Sequence, residues 1–224
     1  GPPPAGGGGS GATSDGGAAL DLEGLPTWRG LPVAGPAVPS PCTVTYFRPA
    51  RAIHDLVPSA DHVVYERGRR LRAVPGARSL ARVVEPYFDR SWRHFCSHRQ
   101  TPPARPTRHP AALVKGRVAC LAYPLFGLYG RHGLPACRGL VQACLREVAG
   151  RPMVETSAPA GAEISVMRRG KEMIAHVLYW PVERRTPDLD LVEDTVPLSD
   201  VRLSLALPRR PRRAYLAPGR RPLE

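Results

Sequence analysis

The chain has 224 residues, with 27 Pro, 22 Gly, a hydrophobic share of 42% and a formal charge of +13. That hydrophobic share is enough for a packed core and excludes wholesale disorder. No run of about 18 apolar residues occurs, which argues against a transmembrane helix, and no signal-peptide pattern is visible, so a cytoplasmic location is expected.

Residues 1–40 hold half of the glycines and one aromatic, Trp28. Gly1 to Gly17 offer too little apolar surface to offset chain entropy, so residues 1–40 are expected to be a disordered or loosely packed segment. A start at Gly1 rather than Met suggests a piece of a longer protein. From Pro41 the texture changes, and residues 42–47 and 62–65 carry strand-type residues. In residues 77–88, Leu80, Val83, Val84 and Tyr87 fall at i, i+3, i+4 and i+7, the spacing of an amphipathic helix. Residues 117–123 form a near-continuous apolar run, the texture of a strand covered on both faces. A turn then leads to Cys137, Leu140, Val141, Cys144, Leu145 and Val148 on one helix face, with Pro135 near its start and Gly150 past its end.

A buried strand followed by an amphipathic helix predicts an α/β layered domain over residues 41–150. Beyond Gly150 the pattern turns to short strands. Residues 163–168 and 172–180 flank Arg169-Gly170-Lys171 and predict a hairpin. Val201, Leu203, Leu205 and Leu207 alternate with Arg202, Ser204 and Ala206 as in a half-buried strand, and residues 213–217 read as one more. Residues 151–224 are thus expected to form a small β-sandwich, cut off at Glu224. Trp180, ending an apolar strand, is expected in its core.

Of the 32 basic residues only Lys115 and Lys171 are lysines. A GC-rich coding bias explains that skew more simply than selection for phosphate contacts. The arginines are scattered, with the densest cluster at Arg209, Arg210, Arg212 and Arg213, and no nucleic-acid motif accompanies them. The five cysteines, Cys42, Cys96, Cys120, Cys137 and Cys144, contain no C-x-x-C pair. Cys120, Cys137 and Cys144 read as small hydrophobes in a reducing compartment.

Three local constellations carry chemistry in principle. His94, Cys96 and His98 would share one face of an extended stretch, but no fourth ligand stands at a familiar spacing, so no metal is assigned. Tyr65, Glu66 and Arg67 read as a strand-end group in which Glu66 and Arg67 form a surface ion pair. The acidic run Asp188, Asp190, Glu193, Asp194 and Asp200 reads as a solvated loop rather than a calcium or acid/base site. Trp92, Tyr123 and Trp180 are the aromatic groups that could stack on a sugar.

Residues 62–68 (HVVYERG), 85–103 (EPYFDRSWRHFCSHRQTPP), 123–133 (YPLFGLYGRHG) and 191–201 (LVEDTVPLSDV) come in an order that resembles a known architecture. It is that of the C-terminal half of bacterial glycoside hydrolases with a beta-galactosidase trimerisation domain, and the resemblance spans roughly residues 11–218. It implies a catalytic (β/α)₈ barrel upstream, a glutamine-amidotransferase-like α/β domain and a small closing β-domain. On that basis the fold class expected is α/β, a partial flavodoxin/glutamine-amidotransferase-like layered domain followed by the truncated β-sandwich.

Glycoside hydrolysis uses two flanking carboxyl groups, which the resembling family carries on the barrel, so no catalytic residue is assigned in this chain. An amidotransferase nucleophile would need a Cys on a Gly-flanked elbow, and none of the five cysteines has that context. The expected function is a non-catalytic accessory and oligomerisation region of a carbohydrate-active enzyme. Its expected partners are the barrel domain, neighbouring subunits of a homo-oligomer and carbohydrate, with no cofactor. Trp92, His94, His98 and Arg99 are the candidates for a substrate rim. The rival reading is a free-standing basic interaction protein that binds nucleic acid.

Overall fold

The structure, a computed structural model, describes residues 31–35 and 37–223. Gly1 to Gly17 and Trp28, on which the expectation of a disordered start rests, lie outside the described residues. The chain divides into two units that meet between Gly150 and Arg151.

The first unit runs through β1 (Val38–Pro39), β2 (Thr45–Pro49), β3 (His62–Val64), β4 (Arg69–Arg70), β5 (Arg78–Pro86), β6 (Pro103–Lys115) and β7 (Val118–Leu121). Two helices follow, α1 (Leu125–His132) and α2 (Pro135–Ala149). Five strands make one antiparallel sheet in the order β3-β2-β5-β6-β7. β1 and β4 pair in a separate ribbon, and Val33 bridges to Ala73 beside it.

The expected flavodoxin/glutamine-amidotransferase-like α/β layering is therefore wrong. Every strand pair in the sheet is antiparallel, and only two α-helices occur among the described residues of the unit. The largest local error lies at residues 77–88, where the helical spacing belongs to a strand. β5 is central, paired with β2 on one side and β6 on the other. Leu80, Ala81, Val83 and Val84 are all buried, while Tyr87 lies past the strand and is exposed. A strand covered on both faces need not alternate. Here the register also shifts between Ser79 and Ala81, Ala81 and Arg82, and Arg82 and Val84, which breaks the two-residue period further. The last two shifts lead to prolines on the facing strand: Pro110 opposite Arg82 and Pro106 opposite Val84 have no N–H to give to the ladder. The β-branched pair Val83-Val84 is the local signal that favoured a strand.

Residues 117–123 do supply a strand, but β7 is a half-buried edge strand paired antiparallel to β6, not one covered on both faces. α2 forms where its punctuation predicts, with Pro135 in the first turn and Gly150 after the end. Its buried face is Cys137, Gly139, Leu140, Ala143 and Cys144, and Leu145 is exposed. α1 forms where a turn was expected and closes with Gly133 in the left-handed region at φ 59°, its N–H donating to the Tyr129 carbonyl at 2.8 Å. The core gathers Phe47, Ile53, Val57, Leu80 and Leu113 from the sheet side with Leu125, Leu128 and Leu140 from the helices.

Burial also sets the pH response of this core. The Cys144 thiol is pushed up from 9.0 to about 11, first by burial and then by the Glu147 charge. A folded-state value raised above the unfolded one gives stability that is complete below about pH 9 and is lost as pH rises through 11. Tyr123, buried as well, is pushed the same way from 10.0. The urea-unfolding free energy in reducing buffer is therefore expected to fall between pH 8 and 10.5. Cys144→Ala should remove about 2 kcal/mol of that fall, and an unchanged pH slope would contradict the assignment.

The second unit contains β8 (Val154–Thr156), β9 (Glu163–Arg169), β10 (Glu172–Leu178), β11 (Glu183–Thr186), β12 (Leu189–Leu191), β13 (Leu203–Leu205), β14 (Tyr215–Leu216) and β15 (Arg221–Pro222). The β9–β10 hairpin turns at Gly170, φ 57°, with Arg169 opposite Glu172. β13 and β14 fall within the expected strands at 201–207 and 213–217. The expected β-sandwich is not what they build. They pair as four two-stranded ladders, β9–β10, β11–β12, β8–β13 and β14–β15. No described residue of this unit is buried, and Trp180, expected in a core, is 44% exposed. Alternation marks a strand with one apolar face, but it does not say whether another sheet covers that face.

Candidate functional site

The first unit carries a long connection, residues 87–102, between β5 and β6. Loops of this length without regular structure are uncommon in compact domains and tend to carry function. This one is tied down at its base. The Tyr87 N–H donates to the Pro102 carbonyl at 3.3 Å, the Thr101 hydroxyl to the Phe88 carbonyl at 2.9 Å, and the Tyr46 hydroxyl to the Thr101 carbonyl at 2.6 Å. Asp89 accepts from both the backbone N–H and the hydroxyl of Thr43, at 3.0 and 2.8 Å. The loop is thus held to the chain leading into β2.

Its outer part is organised by arginines lying on aromatic rings. Arg90 sits 5.4 Å from the Phe95 centroid, Arg93 4.7 Å from that of Trp92, and Arg99 4.9 Å from that of Tyr65. Such contacts are worth about 0.5–1 kcal/mol each at exposed sites. Arg90 also donates to the His98 carbonyl at 3.1 Å. Between this loop, Tyr65 and Thr43–Val44 opens a cavity of about 460 Å³, lined further by Arg90, Ser91, Trp92, Phe95 and Arg99. Its size lies in the range of small-ligand sites. Trp92 and Phe95 are 85% and 69% exposed, so the ring face opposite each arginine is available to a ligand.

Of the four rim candidates, Trp92 and Arg99 line this cavity, whereas His94 and His98 do not. The His94 ring lies against Phe88, 5.9 Å between centroids. His98 enters the loop through its carbonyl, which takes hydrogen bonds from Arg90 and from the Cys96 thiol. The stretch is bent rather than extended, and among the described residues no group of three His, Cys, Asp or Glu could hold a metal ion. Tyr123 cannot serve as a stacking platform, because it is buried. Its hydroxyl lies 2.8 Å from Thr45 Oγ1 and donates to the Tyr46 carbonyl at 3.3 Å.

The expected Glu66–Arg67 pair is corrected as well: Glu66 pairs with Arg131 of α1. Sequence reasoning missed Thr43, Arg90, Ser91 and Phe95. The signal for the loop residues was there in the crowding of aromatic and arginine side chains over residues 87–99.

Carboxylates within the described part of the first unit are already engaged. Asp55, Asp61, Glu66, Glu85 and Glu147 each pair with an arginine, and Asp89 with Thr43. The Arg146 guanidinium holds the Asp55 carboxyl below its usual value. In the second unit Asp188, Asp190, Glu193, Asp194 and Asp200 are all exposed, without the apolar surroundings a general acid needs. Thiols do no better as nucleophiles. Burial pushes Cys42, Cys120, Cys137 and Cys144 up from 9.0, opposite to the shift that activates a catalytic cysteine. No helix among the described residues is long and apolar enough to cross a membrane.

Comparison with solved structures relates the chain to a part of a glycoside hydrolase. The match is alpha-L-fucosidase isoenzyme 2 from Paenibacillus thiaminolyticus, with a TM-score of 0.78 and 28% sequence identity over 87% of this chain. The chain spans 30% of that enzyme's length. No protein-family model matches the sequence, and no curated protein does.

Proposed function

We propose that this chain is a non-catalytic accessory region of a carbohydrate-active enzyme, which packs against a catalytic domain and neighbouring subunits and lends its 87–102 loop to the rim of a saccharide site. The observation that carries the reading is the coverage: nearly all of this chain corresponds to less than a third of an alpha-L-fucosidase. The engaged carboxylates of the first unit agree with a role other than glycosidic bond cleavage. The second unit supports the packing part, since Met153, Met167, Val177, Trp180 and Val196 are among many large apolar side chains it leaves exposed. Extended apolar surface of that kind marks an interaction face.

The test is direct. The chain should not turn over nitrophenyl α-L-fucoside or β-galactoside, and sedimentation should show species above the monomer mass. Turnover abolished by Asp190→Asn or Glu193→Gln would make it an enzyme in its own right. A monomer at all concentrations would remove the oligomerisation part.

A further inference from the structure

We infer that the cavity beneath the β5–β6 loop is a subsite for an acidic sugar, whose carboxylate or sulfate group is held by Arg90 and Arg99 while its ring rests on Trp92 and Phe95. The inference deepens the proposed function and rests on it, because it names the class of saccharide that the rim takes.

Charge is the first argument. Among the described residues lining the cavity two are arginines and none is a carboxylate. Five arginines of this unit, Arg48, Arg70, Arg78, Arg131 and Arg146, each close an ion pair, and none of the five lines the cavity. Among the described residues Arg90 and Arg99 close none, and their guanidinium groups instead stand over the rings of Phe95 and Tyr65. A guanidinium over a ring still presents N–H groups to an anion, and Arg90, which gives one to the His98 carbonyl, keeps others, with the fork geometry that fits carboxylate and sulfate oxygens. The loop's own carboxylate, Asp89, is occupied by two bonds from Thr43 and is not among the lining residues.

Shape is the second argument. Sugar rings present flat C–H faces that pack on aromatic rings, and Trp92 and Phe95 are two such surfaces at one cavity mouth. Ser91 also lines the cavity, its hydroxyl oxygen accepting from the His94 N–H at 3.2 Å and its O–H left to donate. Preorganisation is the third. Asp89, Thr101 and Tyr46 fix the loop to β2, so little of the binding energy is spent on ordering it. Arginine and aromatic residues together also suit single-stranded nucleic acid. The cavity is open to solvent, but its volume of about 460 Å³, on a fold related to a glycoside hydrolase, suits one or two sugar units better than a strand.

The experiment titrates the full chain with oligogalacturonate, with a sulfated galactan oligosaccharide, and with a neutral galactan oligosaccharide of equal length, following heat and tryptophan fluorescence. At least one acidic sugar should bind with Kd of about 1 mM or tighter, and about tenfold or more tightly than the neutral one. Which of the two acidic probes wins identifies the charged group. Arg99→Gln should erase the preference for acidic over neutral sugar, and Trp92→Ala should weaken all three alike. Arg209→Gln with Arg210→Gln, which removes charge far along the chain, should change nothing.

Equal binding of acidic and neutral sugars overturns the inference and leaves the rim reading standing. Binding of no sugar overturns both. Loss of the preference in the Arg209/Arg210 variant, or tighter binding of an oligo-dT probe than of either acidic sugar, also overturns it. The site would then be a general polyanion surface. Arg90→Gln can loosen the loop through its bond to His98, so its result counts only where the circular dichroism matches the parent chain.

Discussion

Phe47→Ala is expected to cost the first unit about 3–5 kcal/mol, the range for emptying a fully enclosed aromatic site. The Phe47 side chain has 0% exposure, and its ring lies 5.2 Å from the His62 ring, centroid to centroid. It stands on β2, which pairs with β3 on one side and with the central β5 on the other, so the cavity left behind opens in the middle of the sheet. Whole domains are stable by only about 5–15 kcal/mol, so the loss is a large share. Phe47→Leu keeps most of the volume and should cost under about 1.5 kcal/mol. The effect reaches the cleft, because the residues around Phe47 anchor the 87–102 loop: Tyr46 through the Thr101 carbonyl and Thr43 through Asp89. Denaturant unfolding measures the loss, and a cost under about 1 kcal/mol would show that this sheet face is not packed as described.

Gly139→Ala should destabilise by about 3 kcal/mol, at the upper end of what one added methyl costs in a filled core. A Cβ at Gly139 would run into the Leu56 carbonyl oxygen and stand 3.0 Å from Val57 Cγ2. The obstacle is main chain rather than the flexible end of a side chain, so α2 itself must move away from residues 56–57. That motion uncovers Cys137, Leu140 and Cys144, which lie on the same face. Gly130 of α1 provides the contrast. A Cβ there meets nothing within 4 Å, so Gly130→Ala should stabilise by about 0.5–1 kcal/mol through lower chain entropy in the unfolded state. Thermal melting of the two variants should move in opposite directions. A Gly139→Ala protein as stable as the parent would mean that the close approach of α2 is absent.

Both results depend on contacts between residues far apart in sequence, and so did the reading of the site. Trp92 and Arg99 were legible because residues 87–99 concentrate aromatic and arginine side chains. Their neighbours in the cavity, Thr43, Val44 and Tyr65, come from other parts of the chain. Thr43 meets Asp89 across 46 positions, a pairing no local pattern announces. Glu66 took Arg131 rather than the adjacent Arg67, because α1 brings that guanidinium to it. His94 and His98 left the group when the loop bent, since the shared face assumed for them exists only on an extended strand.

By itself the amino-acid sequence determined what depends on neighbours within a turn or two. α2 could be read from Pro135, Gly150 and a 3.6-residue apolar period, and the β9–β10 hairpin from Gly170 between two β-rich runs, because those signals are local backbone preferences. Tertiary structure alone decided that residues 78–86 are a strand, that the sheet is antiparallel, and that the second unit pairs as ladders rather than packing as a sandwich. A central strand covered on both faces and interrupted by bulges has no period to read, and a partner sheet or a facing arginine is chosen by long-range packing, which no local window of residues contains.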